Sequence, residues 1–474
     1  MAFWKKFFDV DMIMFKYISA LFLVCSFCQA GQQANGIKIG EVSQHEATVW
    51  VRVTENAQAA NRVGKWNVIP RAKKKLESLP YTVAGASGEV RVVWWRENGG
   101  GKEKVTKMSS WVKVTEQTDY THKFKLSELD SGQRYFVEVE ARENEEGKVS
   151  KVEGTFVTAF GKDQVSPVKF NVITCQGFWR RDTKGGHEIY SSMQNTKPHF
   201  LVHTGDVIYY DKPLPYAKDV KLARYKWNRI YALPKLRDFH AKHSCYYLKD
   251  DHDVLKNDAW SGQTYGELSF ARGQELFREQ TTFPDKTPYR TVRWGKHVQI
   301  WLMEGRDFRT PNNHPDPKKR TIWGEEQIKW LAKTLEESDA TFKFIISPTP
   351  IVGPDRTKGK SDNHANQSHQ VEGDKVRKLL SSIPNTYVLC GDRHWQCASF
   401  DTKTKLKEFG CGPASDIHAS GYSLKERKEN HTYLKISGGF LSVTVSEKDG
   451  EPTAEIQHRD TKGEVVNSVL IPKK

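Results

Sequence analysis

Apolar and polar residues alternate along the first third of the chain. Ala47 to Val53 (ATVWVRV), Glu89 to Val93 and Tyr135 to Val139 (YFVEV) each repeat with a period of two, the pattern of half-buried strands. The spacing predicts an all-β segment from Gly36 to about Thr158. Residues Arg71 to Leu79 and the run Gly99-Gly100-Gly101 read as hairpin insertions in it. After the polar linker 160–167, short apolar runs alternate with helix-like stretches, which predicts a layered α/β domain. The runs are Val168 to Thr174, Phe200 to His203, Cys245 to Leu248, Val298 to Met303, Phe344 to Ser347 and Tyr387 to Cys390. Between Glu325 and Leu335, Ile328, Leu331 and Leu335 fall at helical spacing, so an amphipathic crossover helix is expected there.

Each run leads directly into chemically loaded residues. In order come Cys175-Gln176, Gly205-Asp206, Asp250-Asp251-His252-Asp253, Glu304-Gly305-Arg306, Pro348-Thr349-Pro350 and Gly391-Asp392-Arg393-His394. Open α/β sheets bind ligands at the carboxyl ends of their strands. Each residue taken alone has a duller reading: Gly-Asp is a common turn, Asp250 and Asp251 an acidic loop, Cys175 a small buried hydrophobe, Tyr209 a packing residue. Their recurrence at matching strand ends points to one site. Carboxylates, imidazoles, an amide, a phenol and a thiol gathered at one sheet edge can hold several cations, and paired cations clamp a phosphoryl group and lower the pKa of a bound water.

Composition sharpens this reading. The chain has 474 residues, which favours two domains. Formal net charge is +15, which suits anionic substrates or surfaces, although lysine-rich stretches such as Arg71 to Lys75 also read as solvated faces. Lys16, the apolar run Tyr17 to Phe27 and Cys28-Gln29-Ala30 form a targeting signal with a cleavage pattern before Gly31. Asp9 and Asp11 dilute its basic end, and Met14 would begin a tidier one. A retained membrane anchor is the alternative, but the run is short for a span. Export to the periplasm, the cell surface or the medium is the expectation. Of seven cysteines, five lie beyond residue 30. An odd count in an exported protein leaves one with another task.

The ordered set Cys175-Gln176, Gly205-Asp206-x-x-Tyr209, Asp250-Asp251-His252-Asp253 with Asn257, Arg306, and Gly391-Asp392-Arg393-His394 resembles the alkaline phosphatase D family of calcineurin-like metallophosphoesterases. The string Leu126 to Val139, with a turn glycine ahead of Tyr135, resembles the fibronectin type III pattern. The resemblance implies a metallophosphoesterase domain of layered β-sheets flanked by helices, α/β of the α+β type, over 161–474. An all-β fibronectin III-like sandwich is expected over 31–160, behind a signal peptide at 1–30. It further implies Fe(3+) held by Cys175 and Tyr209, with Ca(2+) sharing Asp206 and taking the Asp250 or Asp251 carboxylate and Asn257, while Asp392 and His394 complete the metal shell. By the same resemblance His252 protonates the leaving alkoxide or holds the attacked phosphate, Arg306 grips phosphate oxygens, and a metal-bound hydroxide attacks in line.

Departures from the family pattern are Met303-Glu304-Gly305 ahead of Arg306, Asp253 in place of glutamate, and Arg393 and Trp395 beside the last ligands, where they would narrow the cleft or stack on a substrate ring. Asp362-Asn363-His364-Ala365-Asn366 is polar enough to line the site but reads rather as an ordinary solvated loop. The expected substrate is a phosphate ester, either a small molecule or an anionic polymer such as nucleic acid or a phospholipid headgroup. The protein is expected to be a monomer, with no stable nucleic-acid complex. The competing readings are a purple-acid-type phosphatase or nucleotidase, whose first strand would carry Asp-x-His, and a non-catalytic surface-binding protein on the same scaffold.

Overall fold

The computed structural model describes residues 31–60, 79–97, 104–356 and 361–473. The targeting segment, the Arg71 to Lys75 stretch and the triple glycine lie outside them. Two sheets face each other. The first has nine strands in the order Val465–Pro472, Glu451–Arg459, Phe440–Lys448, Val168–Ile173, Phe200–His203, Ser244–Tyr247, Ile37–Gly40, Ala47–Arg52 and Thr121–Leu126. Its central four, Val168–Ile173 to Ile37–Gly40, run parallel. The second has seven, in the order Arg290–Trp294, Val298–Leu302, Phe342–Ser347, Thr386–Cys390, Lys407–Cys411, Gln396–Phe400 and His431–Lys435.

Alternation within the central strands sorts their side chains into layers. Phe170, Val172, Phe200 and Val202 of the first sheet meet Ile300, Phe344, Ile346 and Leu389 of the second in one buried core, and Phe170 packs edge-on against Phe344 at 5.5 Å. The opposite residues, Ile173, Leu201, Cys245 and Tyr247, are covered by helices that include Val220–Tyr231, Pro234–His240 and Phe270–Gln280. Trp301, Ile345 and Val388 are covered by Gly324–Glu336 and Gln370–Ser382. Both faces of the parallel strands are therefore apolar, which is why the sequence shows them as continuous runs. Leu331 and Leu335 of the crossover helix are buried, with Ile328 at the margin of the same cluster.

The β-rich segment is a sandwich that shares strands with the first large sheet. Its strands Ile37–Gly40, Ala47–Arg52 and Thr121–Leu126 extend the first sheet, Gly40 pairing with Cys245 in parallel. Against them lies a third sheet of Lys104–Met108, Gly88–Glu97, Arg134–Arg142 and Ser150–Val157, with Val112–Val114 on its flank. The alternating positions read from sequence supply the packing, Val49 and Val51 against Val90, Val92, Val137 and Val139. All four residues of Ile37–Gly40 are buried, so this strand has a neighbour on each edge and no solvent face.

Phe344 is fully buried in the inter-sheet core. Phe344→Ala is expected to cost about 3–5 kcal/mol in urea unfolding. Leu470→Ala, at a side chain 66% exposed, should stay within about 0.5 kcal/mol of the parent.

Candidate metal centre

The loaded residues stand at the carboxyl ends of strands from both large sheets rather than along one open sheet. Cys175, Asp206 and Asp392 follow Val168–Ile173, Phe200–His203 and Thr386–Cys390, and all three take left-handed backbone conformations, with φ of 53°, 57° and 63°. Such residues persist only where their surroundings hold them, at roughly 1–3 kcal/mol each. Two glycines make room. A Cβ on Gly205 would sit 2.5 Å from Asp250 Cβ, and one on Gly391 2.1 Å from Thr204 Oγ1. The ends are then laced together: the Cys175 N–H donates to Gly205 O, the Gln176 N–H to Asp206 O, and the Asp392 N–H to Thr174 Oγ1 at 3.1 Å. Asp253 uses both carboxylate oxygens to receive the N–H groups of Asp206 (2.7 Å), Asp250 (2.9 Å) and Ile208 (3.1 Å). Here the shorter carboxylate fixes the Asp206 turn without reaching the cleft.

Two groups of donor atoms result. Cys175, Asp206 and His394 form one, and Asp206, Asp251 and His252 the other, each with its ligand atoms within 4.8 Å of one another. Asp206 belongs to both. Cys175 Sγ lies 3.4 Å from Asp206 Oδ2 and 3.6 Å from Asp392 O. The Tyr209 hydroxyl stands beside Cys175 and Asp206 but forms no well-aligned hydrogen bond with either. Asp250 is turned to Arg306 Nε at 2.5 Å, and Arg306 Nη2 lies 3.8 Å from Asp251. Arg306 is itself held by Glu304, which accepts its N–H at 3.0 Å and pairs with Lys249 at 3.0 Å. The Asp392 carboxylate pairs with Arg393 at 2.5 Å. Asn257 is exposed, and its main-chain N–H donates to Asp211.

Electrostatics show what the arrangement favours. Burial, then the neighbouring carboxylates, push the Asp206 carboxyl well above its usual range, and burial does the same to Asp250 against the pull of Arg306. Burial and the Asp206 and Asp392 charges raise the Cys175 thiol, and burial drives His394 well below the ordinary imidazole value, leaving a neutral ring. Asp206 Oδ1, Asp250 Oδ2 and the Tyr209 hydroxyl are buried without partners. Thiol, phenol, carboxylates and neutral imidazole packed together away from water fit multivalent cations, whose charge would favour the deprotonated forms and give each a partner.

The PhoD-like phosphatase family matches residues 170–464, which takes in every one of these groups. The chain belongs to that family. Among solved structures, PhoD superposes with a TM-score of 0.72 at 16% identity, covering 94% of this chain and 91% of that one. The purple acid phosphatase PPD1 from yellow lupin (Lupinus luteus) seeds gives 0.65 at 12% identity, covering 93% and 74%. No curated protein matches. At these identities the structures speak to the fold alone, and the fold is that of layered mixed sheets flanked by helices, as the resemblance implied.

Three participants in this PhoD-like site escaped the sequence reading. Asp211 Oδ1 lies 2.6 Å from His252 Nδ1. Burial raises the Asp211 carboxyl, but the hydrogen bond and charge of His252 outweigh it and the pKa falls. Asp211 is two residues from Tyr209 in one loop, the only hint the sequence offered. His418 Nδ1–H donates to Cys175 O at 3.0 Å, and its ring lies tilted against that of His394 with centroids 4.1 Å apart; it follows no strand end, so no pattern marked it. Asp355 lies 2.5 Å from Arg393.

The Asp362 to Asn366 loop corrects an expectation. It is buried, not solvated, with Asn363 and His364 at 0% exposure. Arg393 pairs with Asp362 at 2.7 Å, Asn363 Nδ2 donates to Asp355 at 2.9 Å, and His364 Nε2 lies 2.8 Å from Glu372. Arg393 is thus committed to carboxylates, and Trp395, 2% exposed, packs on Tyr422 at 4.8 Å; neither is free to stack on a substrate. Polar composition misled because each polar group found a buried partner.

Burial raises the Glu372 carboxyl, but His364, the Thr321 hydroxyl and the Trp323 N–H lower it to about 2 from 4.5. A depressed carboxyl pKa contributes stability that is complete above the unfolded value and lost as pH falls through the folded one. The melting-temperature gap between parent and Glu372→Gln should therefore be widest near pH 6 and shrink towards pH 3. A gap independent of pH would contradict this role.

Proposed function

We propose that this PhoD-like chain is an exported metal-dependent phosphoesterase. It would act as a monomer on phosphate mono- or diesters, small or polymeric. The observation that carries this is the pair of three-donor groups meeting at Asp206, an arrangement suited to two cations side by side on one phosphoryl group. Cys175, Tyr209 and His394 would hold a hard oxidised cation such as Fe(3+), with Asp206, Asp251 and Asp250 offering oxygens to Ca(2+). Bound cations would supply Lewis acidity and a bound water acidic enough to act as the nucleophile near neutral pH.

The chain's own groups do the rest. Arg306, buried and fixed by Glu304 and Asp250, presents an unpartnered Nη1 to a phosphate oxygen, where a planar guanidinium binds strongly. His252 has Nδ1 engaged by Asp211, which turns Nε2 towards the second group as the proton donor to a leaving alkoxide. Asp392 counters Arg393 at the rim. The 31–160 segment braces the first sheet, and the apolar run before Gly31 supports export. Positive net charge favours approach of anionic esters without requiring a stable complex with nucleic acid.

Residues 31–474 should hydrolyse an aryl phosphate monoester, a bis-aryl diester or both, with turnover abolished by a chelator. Asp206→Asn should lower kcat by more than the roughly 10–100-fold typical of an outer partner, and Asp211→Asn by an amount within that range. Chelator-resistant turnover, or an Asp206→Asn variant as active as the parent, would overturn the metal reading. Bound metal with no turnover on either ester would favour the surface-binding alternative.

A further inference from the structure

Helix Val220–Tyr231 carries a lysine held by main-chain oxygens rather than by an ion pair. Lys226 is 1% exposed, and among the described residues it makes no ion pair. Its Nζ instead donates to four main-chain carbonyls, those of Tyr209 at 2.6 Å and of Tyr210, Lys212 and Pro213 at 3.0 Å each. These oxygens belong to one turn of the loop whose side chains include Tyr209, beside Cys175 and Asp206, and Asp211, on His252. A ring of backbone carbonyls replacing a hydration shell is a donor set for a bare monovalent cation. The three N–H groups of an ammonium are spread over these four oxygens.

We infer that the carbonyl ring of residues 209–213 is a monovalent-cation site whose cation is built into the chain as Lys226. It makes Lys226 a positioning residue for Tyr209 and Asp211. The helix supports that role, since Asp219 caps its N-terminus by accepting from Leu222 N–H, and Trp227 Nε1 holds the Tyr210 hydroxyl at 2.9 Å. Without the ammonium, four carbonyls would face one another with nothing to offset their repulsion, and the loop would have to open.

The inference rests on the proposed phosphoesterase activity only for its kinetic arm. Lys226→Ala and the parent are compared in sodium, potassium, ammonium and tetramethylammonium chloride at matched ionic strength, following both aryl-ester turnover and melting temperature. The variant should lose about 100-fold in kcat in tetramethylammonium, the scale of a small misplacement of catalytic groups, and recover at least about ten-fold in ammonium or potassium. Its melting temperature should rise in ammonium relative to tetramethylammonium while the parent's does not, a reading that holds even if no ester is turned over. Unchanged kcat in the folded variant, or no cation-specific change in melting temperature, would overturn the inference. Should Lys226→Ala not fold, Lys226→Gln replaces it: lower kcat at unchanged KM is expected, and parental kcat would overturn the inference.

Discussion

Mutual repulsion among buried anionic groups is the constraint around which the molecule is organised. Asp206, Asp250, Asp251 and Asp392 act on one another through a medium with little water, and desolvation compounds the effect. No apolar core gains from such a cluster. It is held by backbone: three strand ends in left-handed conformations, two glycines where no side chain fits, and a web of N–H groups gathered by Asp253. Strain of this kind concentrates where chemistry is done.

Rigid layers make the strain tolerable. The strands that deliver Cys175, Asp206 and Asp392 are covered on both faces, by the facing sheet and by helices, so their ends cannot relax independently. The two sheets contribute different parts: the first brings Cys175, Asp206 and the Asp250 to Asp253 turn, the second Arg306, Asp392 and His394. Holding the sheets in register is therefore the same problem as holding the donor groups at a common distance.

Much of this was legible beforehand. Period-two runs marked the outer strands, continuous apolar runs marked the parallel ones because they are buried on both sides, and the strand-end residues were visible because each came directly after such a run. The residues that escaped were reached by tertiary contact. His418 arrives from a loop with no periodic neighbour, and Asp211 gains its role from a histidine far along the chain. Asp362 to Asn366 looked like solvent-facing text because sequence shows polarity but not whether a buried arginine waits opposite. Asn257, an oxygen ligand implied by the resemblance, lies exposed and meets the site through its main-chain N–H on Asp211. The five cysteines beyond residue 30 are all buried and unpaired, so the odd count reflected small buried side chains as well as Cys175.

The parallel pairing of Ile37–Gly40 with Ser244–Tyr247 has a consequence for how the chain can be divided. A fragment beginning at residue 161 would keep every donor group but lose the strand that closes one side of Ser244–Tyr247. The row of N–H and C=O groups left bare there, on an apolar strand, is a template for pairing with another molecule. The β-rich segment thus acts as a selvedge for the first sheet, and excising it would leave that edge open to pairing with another copy.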